Sequence, residues 1–156
     1  MPDRSPGDRT VATNRRARHD YAIEETYEAG MVLTGPEVKS LRSGRASLTD
    51  AYARVKDHEL WVENLHIPPY EMADSRRYEA KRPRKLLLHR REIDSLKGKV
   101  QEKGLTLVPT RLYFKNGRAK VELAVARGKD VRDKRRDIAD RDAQRQIERA
   151  LKSRSR

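Results

Sequence analysis

The stretch from Leu105 to Ala126 constrains the fold more than any other part of the chain. Two alternating apolar and polar runs flank Lys115-Asn116-Gly117-Arg118. Asn-Gly tolerates the left-handed backbone that a two-residue type I′ turn requires, so this pair predicts a tight hairpin. Side chains alternate across a strand, and Ala119, Val121, Leu123 and Val125 therefore line one face of the second strand.

Further strands are expected upstream. From Tyr21 to Leu33, Tyr21, Ile23 and Tyr27 fall on one parity and predict a strand with one buried face, Tyr21 included in the core. Ala51–Val55 and Leu60–Leu65 are short strands around the turn-like Lys56-Asp57-His58-Glu59. Two helices interrupt them. Thr34-Gly35-Pro36-Glu37 fits a capping box, in which Thr34 caps and Glu37 reaches back to the cap's backbone N–H. Val38 and Leu41 then share a face, and Gly44 ends the helix. The second helix covers about Arg90 to Lys103, with Ile93, Leu96 and Val100 as its buried stripe and Gly104 as its stop. Pro68-Pro69 and Asp74 to Pro83 are connecting loops. Short strands with interspersed helices predict a mainly β fold, an OB-like small β-barrel with flanking short helices. A two-layer α+β fold is the competing architecture.

Charge divides the chain of 156 residues into three parts. Residues 1–18 form a basic N-terminal arm with five arginines against two acids, and residues 127–156 a basic C-terminal tail with twelve Lys/Arg against six acids. Residues 19–126 between them are the barrel. The net charge of +13 points to a polyanionic partner, because neutralising phosphates releases condensed counterions. Hydrophobic residues make up 35% and charged residues 39%, so part of the chain must be solvated or pressed against a partner. The large apolar residues of the tail are Val131, Ile138, Ile147 and Leu151, a stripe too thin to dock on a barrel. The expectation is a tail disordered alone and helical when bound.

Other functions find little support. The chain has no cysteine, which suits a reducing cytoplasm and removes disulfides and thiolate metal sites. Met1 to Asn14 lack the hydrophobic segment of a signal peptide, and no apolar run approaches a membrane span. His19, His58, His66 and His89 show no metal-ligand spacing. Gly98-Lys99 and Gly128-Lys129 lack the upstream glycine of a phosphate loop. One enzymatic alternative is a metal-dependent nuclease. Glu37-Val38-Lys39 would be its acid-x-Lys element, and Asp20, Glu24, Glu25 and Glu28 its metal carboxylates. Such tripeptides are common by chance, so a helix cap is the favoured reading of Glu37. The chain is expected to be a non-enzymatic monomer without cofactor or metal.

Three basic clusters remain. Asn14-Arg15-Arg16-Ala17-Arg18-His19-Asp20-Tyr21 is an arm whose arginines could clamp a phosphate backbone. Arg76-Arg77 and Lys81-Arg82-Pro83-Arg84-Lys85 lie on a loop entering a strand. Arg127-Gly128-Lys129 and Asp133-Lys134-Arg135-Arg136 open the tail. Each is either solvated charge or a phosphate contact.

These motifs occur in a telling order. The arm just quoted is followed by Gly35-Pro36-Glu37-Val38-Lys39-Ser40-Leu41-Arg42 and Arg84-Lys85-Leu86-Leu87-Leu88-His89. Leu112-Tyr113-Phe114 and Arg127-Gly128-Lys129 through Asp133-Lys134-Arg135 complete the series. The whole resembles the SmpB family, the SsrA-binding proteins, from Asn14 to about Ile147. The resemblance implies a barrel that binds the tRNA-like domain of transfer-messenger RNA and stands in for its missing anticodon stem. It implies a tail helix in the empty mRNA channel near the decoding centre of a stalled ribosome, with tagging of the unfinished peptide.

By the family's pattern, Asn14, Arg16, Glu28 and a leucine of the Leu86–Leu88 run, assigned to Leu87, belong to the tmRNA-binding face. Arg15, Arg18, Lys39, Arg84 and Lys85 join them from the basic motifs. Lys129, Arg132, Asp133, Lys134, Arg135 and Arg136 belong to the ribosome-contacting tail. Arg132 stands where some relatives have His, and Ala143 lies near a bulky aromatic of others. The planar guanidinium of Arg132 can still stack, whereas Ala143 cannot. A general OB-type RNA-binding or ribosomal protein, with little preference among RNAs, is the alternative.

Overall fold

The computed structural model describes residues 9–70, 78–128 and 131–154, with the backbone alone for 131–140 and 153–154. In chain order the elements are β1 (Arg9–Thr13), α1 (Arg15–Asp20), β2 (Tyr21–Met31), α2 (Gly35–Arg42), β3 (Tyr52–Lys56) and β4 (Glu59–Glu63). They continue with β5 (Arg84–Leu87), α3 (Arg90–Lys103), β6 (Thr106–Lys115), β7 (Arg118–Gly128) and α4 (Val131–Arg154).

Local signals fix the turns. Asn116 and Gly117 have φ of 52° and 74°, and Lys115 pairs with Arg118 across the β6–β7 hairpin. Asp57 and His58 do the same between β3 and β4, with φ of 52° and 61° and Lys56 opposite Glu59. Both helices start and stop as their caps predict. Glu37 accepts the Thr34 N–H at 2.8 Å, and Glu92 accepts the His89 N–H at 3.3 Å. Gly104, left-handed at φ 63°, ends α3.

The strands pair antiparallel in the order β1-β6-β3-β4-β5-β2-β7, and β7 returns to β6. That last pairing closes six strands into a ring, which decides between the two expected architectures in favour of the barrel. Leu60, Val62, Leu65, Leu86, Leu107, Leu112, Val121, Leu123 and Val125 fill its interior. Leu41 of α2 and Ile93 and Leu96 of α3 join the same core. Fully burying such a side chain is worth roughly 1.5–3 kcal/mol.

The structure corrects three expectations. The arm does not end at residue 18: Arg9–Thr13 pair with Arg111–Phe114 of β6, and α1 leads directly into β2. The strand pattern of β2 is broken by a bulge between Ile23 and Glu25, which pair with the adjacent Ala126 and Val125. An inserted residue flips the faces. Tyr27, Ala29 and Met31 therefore meet the core, while Tyr21 and Ile23 are half-buried outside it. Finally, β7 continues through Arg127 to Gly128, opposite Ala22 and Tyr21, so the tail begins beyond residue 128. Beyond the barrel, Val131–Arg154 is α-helical, and its described side chains, residues 141–152, are exposed.

Candidate RNA-binding surface

The N-terminal cluster is built around Asn14. Asn14 is 8% exposed and caps α1, its Oδ1 accepting the Ala17 N–H at 3.2 Å. Its Nδ2 donates to the carbonyls of Leu48 and Pro109, both at 3.3 Å. Asn14 thus anchors the helix to the barrel. Ala17 is buried beneath α1, and Arg15, Arg16 and Arg18 are exposed. An open groove beside them is lined by Arg18, Tyr21, Ile23, Thr26, Thr110 and Glu122.

After the bulge, Thr26, Glu28, Gly30 and Val32 alternate with the core residues and face outward. Leu87 of β5 pairs with Gly30 and is 51% exposed. A Cβ built on Gly30 would meet the Leu87 Cβ at 3.4 Å, an ordinary van der Waals contact, so the two residues pack directly against each other. Lys85 shares the outward side of β5 and meets Glu59 at 3.2 Å. Glu28 faces Glu122 across the strands, and each acid has its own partners. Tyr113 donates its hydroxyl to one Glu28 oxygen, and Lys115 donates to the other at 3.3 Å. Glu122 accepts from the Thr110 hydroxyl at 3.0 Å. The Tyr113 hydrogen bond, with help from Lys115, outweighs burial and holds the Glu28 carboxyl below its ordinary range. Burial, reinforced by Glu28, pushes the Tyr113 phenol up. Glu28 is therefore an ionised acceptor and Tyr113 a protonated donor.

Arg84 does not belong to this surface. It is fully buried and donates to Glu37 from Nε, to Leu65 O at 2.7 Å and to Ala80 O at 3.1 Å. Strand alternation turns Arg84 and Leu86 inward and Lys85 and Leu87 outward. The same network occupies Glu37, the acid of the nuclease alternative. Glu37 is 1% exposed and bound by Thr34, Arg82 and Arg84. Asp20, Glu24, Glu25 and Glu28 point to four separate partners, His19, Arg127, Lys99 and Tyr113. Among the described residues no group could hold a metal ion, and no helix is long and apolar enough to cross a membrane.

The model of the SmpB protein family matches residues 11–153. The chain belongs to the SmpB family. Among its SmpB relatives, the SsrA-binding protein of Thermobifida fusca (strain YX) is 61% identical, covering 97% of this chain and 95% of the relative. The SsrA-binding protein of Acidothermus cellulolyticus is also 61% identical, covering 95% and 93%. A solved structure described as "tmRNA-SmpB: a journey to the center of the bacterial ribosome" contains a chain 55% identical to this one. It superposes with a TM-score of 0.64, covering 77% of this chain and 85% of that chain.

Of the residues assigned through the SmpB resemblance, Glu28 and Leu87 lie near each other on the outward face of β2 and β5. Arg15, Arg16 and Arg18 lead into the other end of β2. Lys39 stands apart on α2, exposed and 5.7 Å from the centre of the Tyr70 ring. Lys129 lies outside the described residues, as do Arg76 and Arg77. Arg132, Asp133, Lys134, Arg135 and Arg136 lie in α4, with side chains outside the description. Sequence reasoning missed Tyr113 as the partner of Glu28. Hairpin register puts Tyr113 opposite Lys120, but nothing local to Leu112-Tyr113-Phe114 indicates that β2 lies on the far side of β7.

Proposed function

We infer that this SmpB family member binds the tRNA-like domain of transfer-messenger RNA and delivers it to stalled ribosomes for trans-translation. The observation that carries the reading is the arrangement of Glu28, Leu87 and the arginines of α1 along β2, in a chain whose relatives are named for binding SsrA. A-form RNA hides its base edges, so such a face reads backbone shape and an unpaired loop. Arg15, Arg16, Arg18 and Lys85 supply charge to phosphates, Asn14 sets the direction of α1, and Leu87 offers apolar contact. Glu28 accepts hydrogen bonds from base or 2′-hydroxyl groups.

The tail has the second role in this reading. Lys129, Arg132, Asp133, Lys134, Arg135 and Arg136 contact ribosomal RNA in the empty mRNA channel, and the segment is ordered as a helix by that contact. The protein acts as a monomer without catalysis, in the cytoplasm where ribosomes are found.

The test is a titration at near-physiological salt against the tRNA-like domain, with an elongator tRNA and a single-stranded RNA as competitors. A strong preference for the tRNA-like domain is expected. Equal, salt-sensitive binding to all three RNAs would instead make this a general OB-type RNA-binding protein.

A further inference from the structure

Tyr113 sits on the outward side of β6 yet is 8% exposed. Its ring is covered by the Arg111 guanidinium, 4.2 Å from the ring centre, and its backbone pairs with Thr10 of β1. The hydroxyl reaches past β7 to Glu28. Beside this group lies a cleft of about 240 Å³ lined by Arg9, Thr10, Glu28, Arg111, Tyr113 and Lys115. Glu28 keeps 41% of its side chain exposed there.

A free glutamate on a surface for RNA is a poor reader. It repels phosphate and explores several rotamers, each lost again on binding. Both difficulties are removed here. Lys115 supplies the compensating charge at 3.3 Å, and Tyr113, itself immobilised by Arg111 and β1, fixes the carboxylate. A carboxylate has about four acceptor directions, and two donors leave the remainder facing the cleft.

We propose that Tyr113 is a positioning residue for RNA recognition, its hydroxyl presetting Glu28 to accept hydrogen bonds from base amino or 2′-hydroxyl donors. This rests on the RNA-binding reading above. Removing the hydroxyl leaves the ring, the Arg111 stack and the β1 pairing in place, so the loss is one of preorganisation rather than of fold. Since Tyr113 acts through Glu28, it has no effect once the carboxylate is gone.

The experiment is a double-mutant cycle on the full chain with Tyr113→Phe, Glu28→Ala and the double variant. Affinity for the tRNA-like domain is measured at a temperature where circular dichroism shows every variant folded. Tyr113→Phe is expected to bind about five- to tenfold more weakly, the scale of one ordinary hydrogen bond. The double variant should match Glu28→Ala within about twofold, the tolerance of such a cycle. The salt dependence of Tyr113→Phe should equal that of the unmodified protein, because no charge is removed. Unchanged affinity in Tyr113→Phe, or losses that multiply in the double variant, would overturn the positioning role alone. An unmodified protein with no preference for the tRNA-like domain would remove the functional reading and this proposal together.

Discussion

Glu37 shows how one residue can look like two different things in a sequence. Read as a cap it was legible, since Thr34-Gly35-Pro36-Glu37 is a local pattern. Its bonds to Arg82 and Arg84, 45 and 47 residues on, were not. Burial pushes its carboxyl up, but Arg82, the Thr34 N–H and Arg84 prevail and hold it below the ordinary value of 4.5. A carboxylate with a depressed folded pKa stabilises fully above its unfolded value and loses that contribution as pH falls through the folded one. Glu37 therefore stabilises the protein above pH 4.5 and progressively less below it. Glu37→Gln strands the buried Arg84 and should cost about 3–5 kcal/mol at neutral pH. Urea unfolding at about pH 7 and about pH 3.5 checks both parts: the deficit of the variant should shrink in acid. Asn14 gives a second case. The resemblance made it an RNA contact, whereas its bonds to Leu48 and Pro109 give it a structural task as well. Asn14→Asp keeps the oxygen that caps α1 and turns a carboxylate against two carbonyls. It should lose about 1–3 kcal/mol in the same assay, as an unsatisfied buried polar group does. Wild-type stability in Asn14→Asp would show that the two donated bonds contribute nothing.

Among elements, those announced by neighbouring residues were the legible ones. The Asn116-Gly117 hairpin, α2 and α3 follow from turn chemistry and caps, and α3 spans Arg90–Lys103 as its periodicity indicates. The β2 bulge was hidden, because parity counting assumes an uninterrupted pleat. The tail boundary was misplaced for a related reason. The charge run starts at Arg127, but Arg127 and Gly128 still pair with Ala22 and Tyr21. Deletion from Arg127 would therefore trim the barrel along with the tail. A truncation after Gly128 separates the two. It is expected to leave affinity for the tRNA-like domain within about tenfold, or about 1.4 kcal/mol, while abolishing peptide tagging. The described part of α4 supports this division, since Ile147 and Leu151 are 55% and 61% exposed and contribute nothing to the core. A truncated protein that binds RNA far more weakly would move α4 into the tmRNA site. A truncated protein that still tags would remove the tail from ribosome engagement.

At the scale of the whole molecule, short strands and the family resemblance predict the barrel, but its closure was not legible, because closure rests on distant pairs. Ala53 meets Leu107, and Gly30 meets Leu87, and no local pattern encodes either. Net charge had the opposite character: +13 was legible at once and said nothing of where the charge would act. The structure gives it a direction. Glu25, Glu28, Glu59 and Glu63 each hold a cation on the barrel, namely Lys99, Lys115, Lys85 and Arg54. Arg15 and Arg16, by contrast, are exposed on the short helix that Asn14 holds in place. If those two arginines meet phosphates, each contributes about 0.7–0.9 to the slope of log affinity against log salt. Arg15→Ala/Arg16→Ala should then flatten that slope by about 1.4–1.8 for the tRNA-like domain. Thermal stability should barely change, because surface substitutions away from caps and core usually stay within about 0.5 kcal/mol. Affinities measured across a salt series, beside melting curves for the same samples, separate the possibilities. A flattened slope with an unchanged melt places RNA against α1. An unchanged slope would leave Arg15 and Arg16 as solvated charge and move the phosphate contacts to Lys85 and the outward face of the sheet.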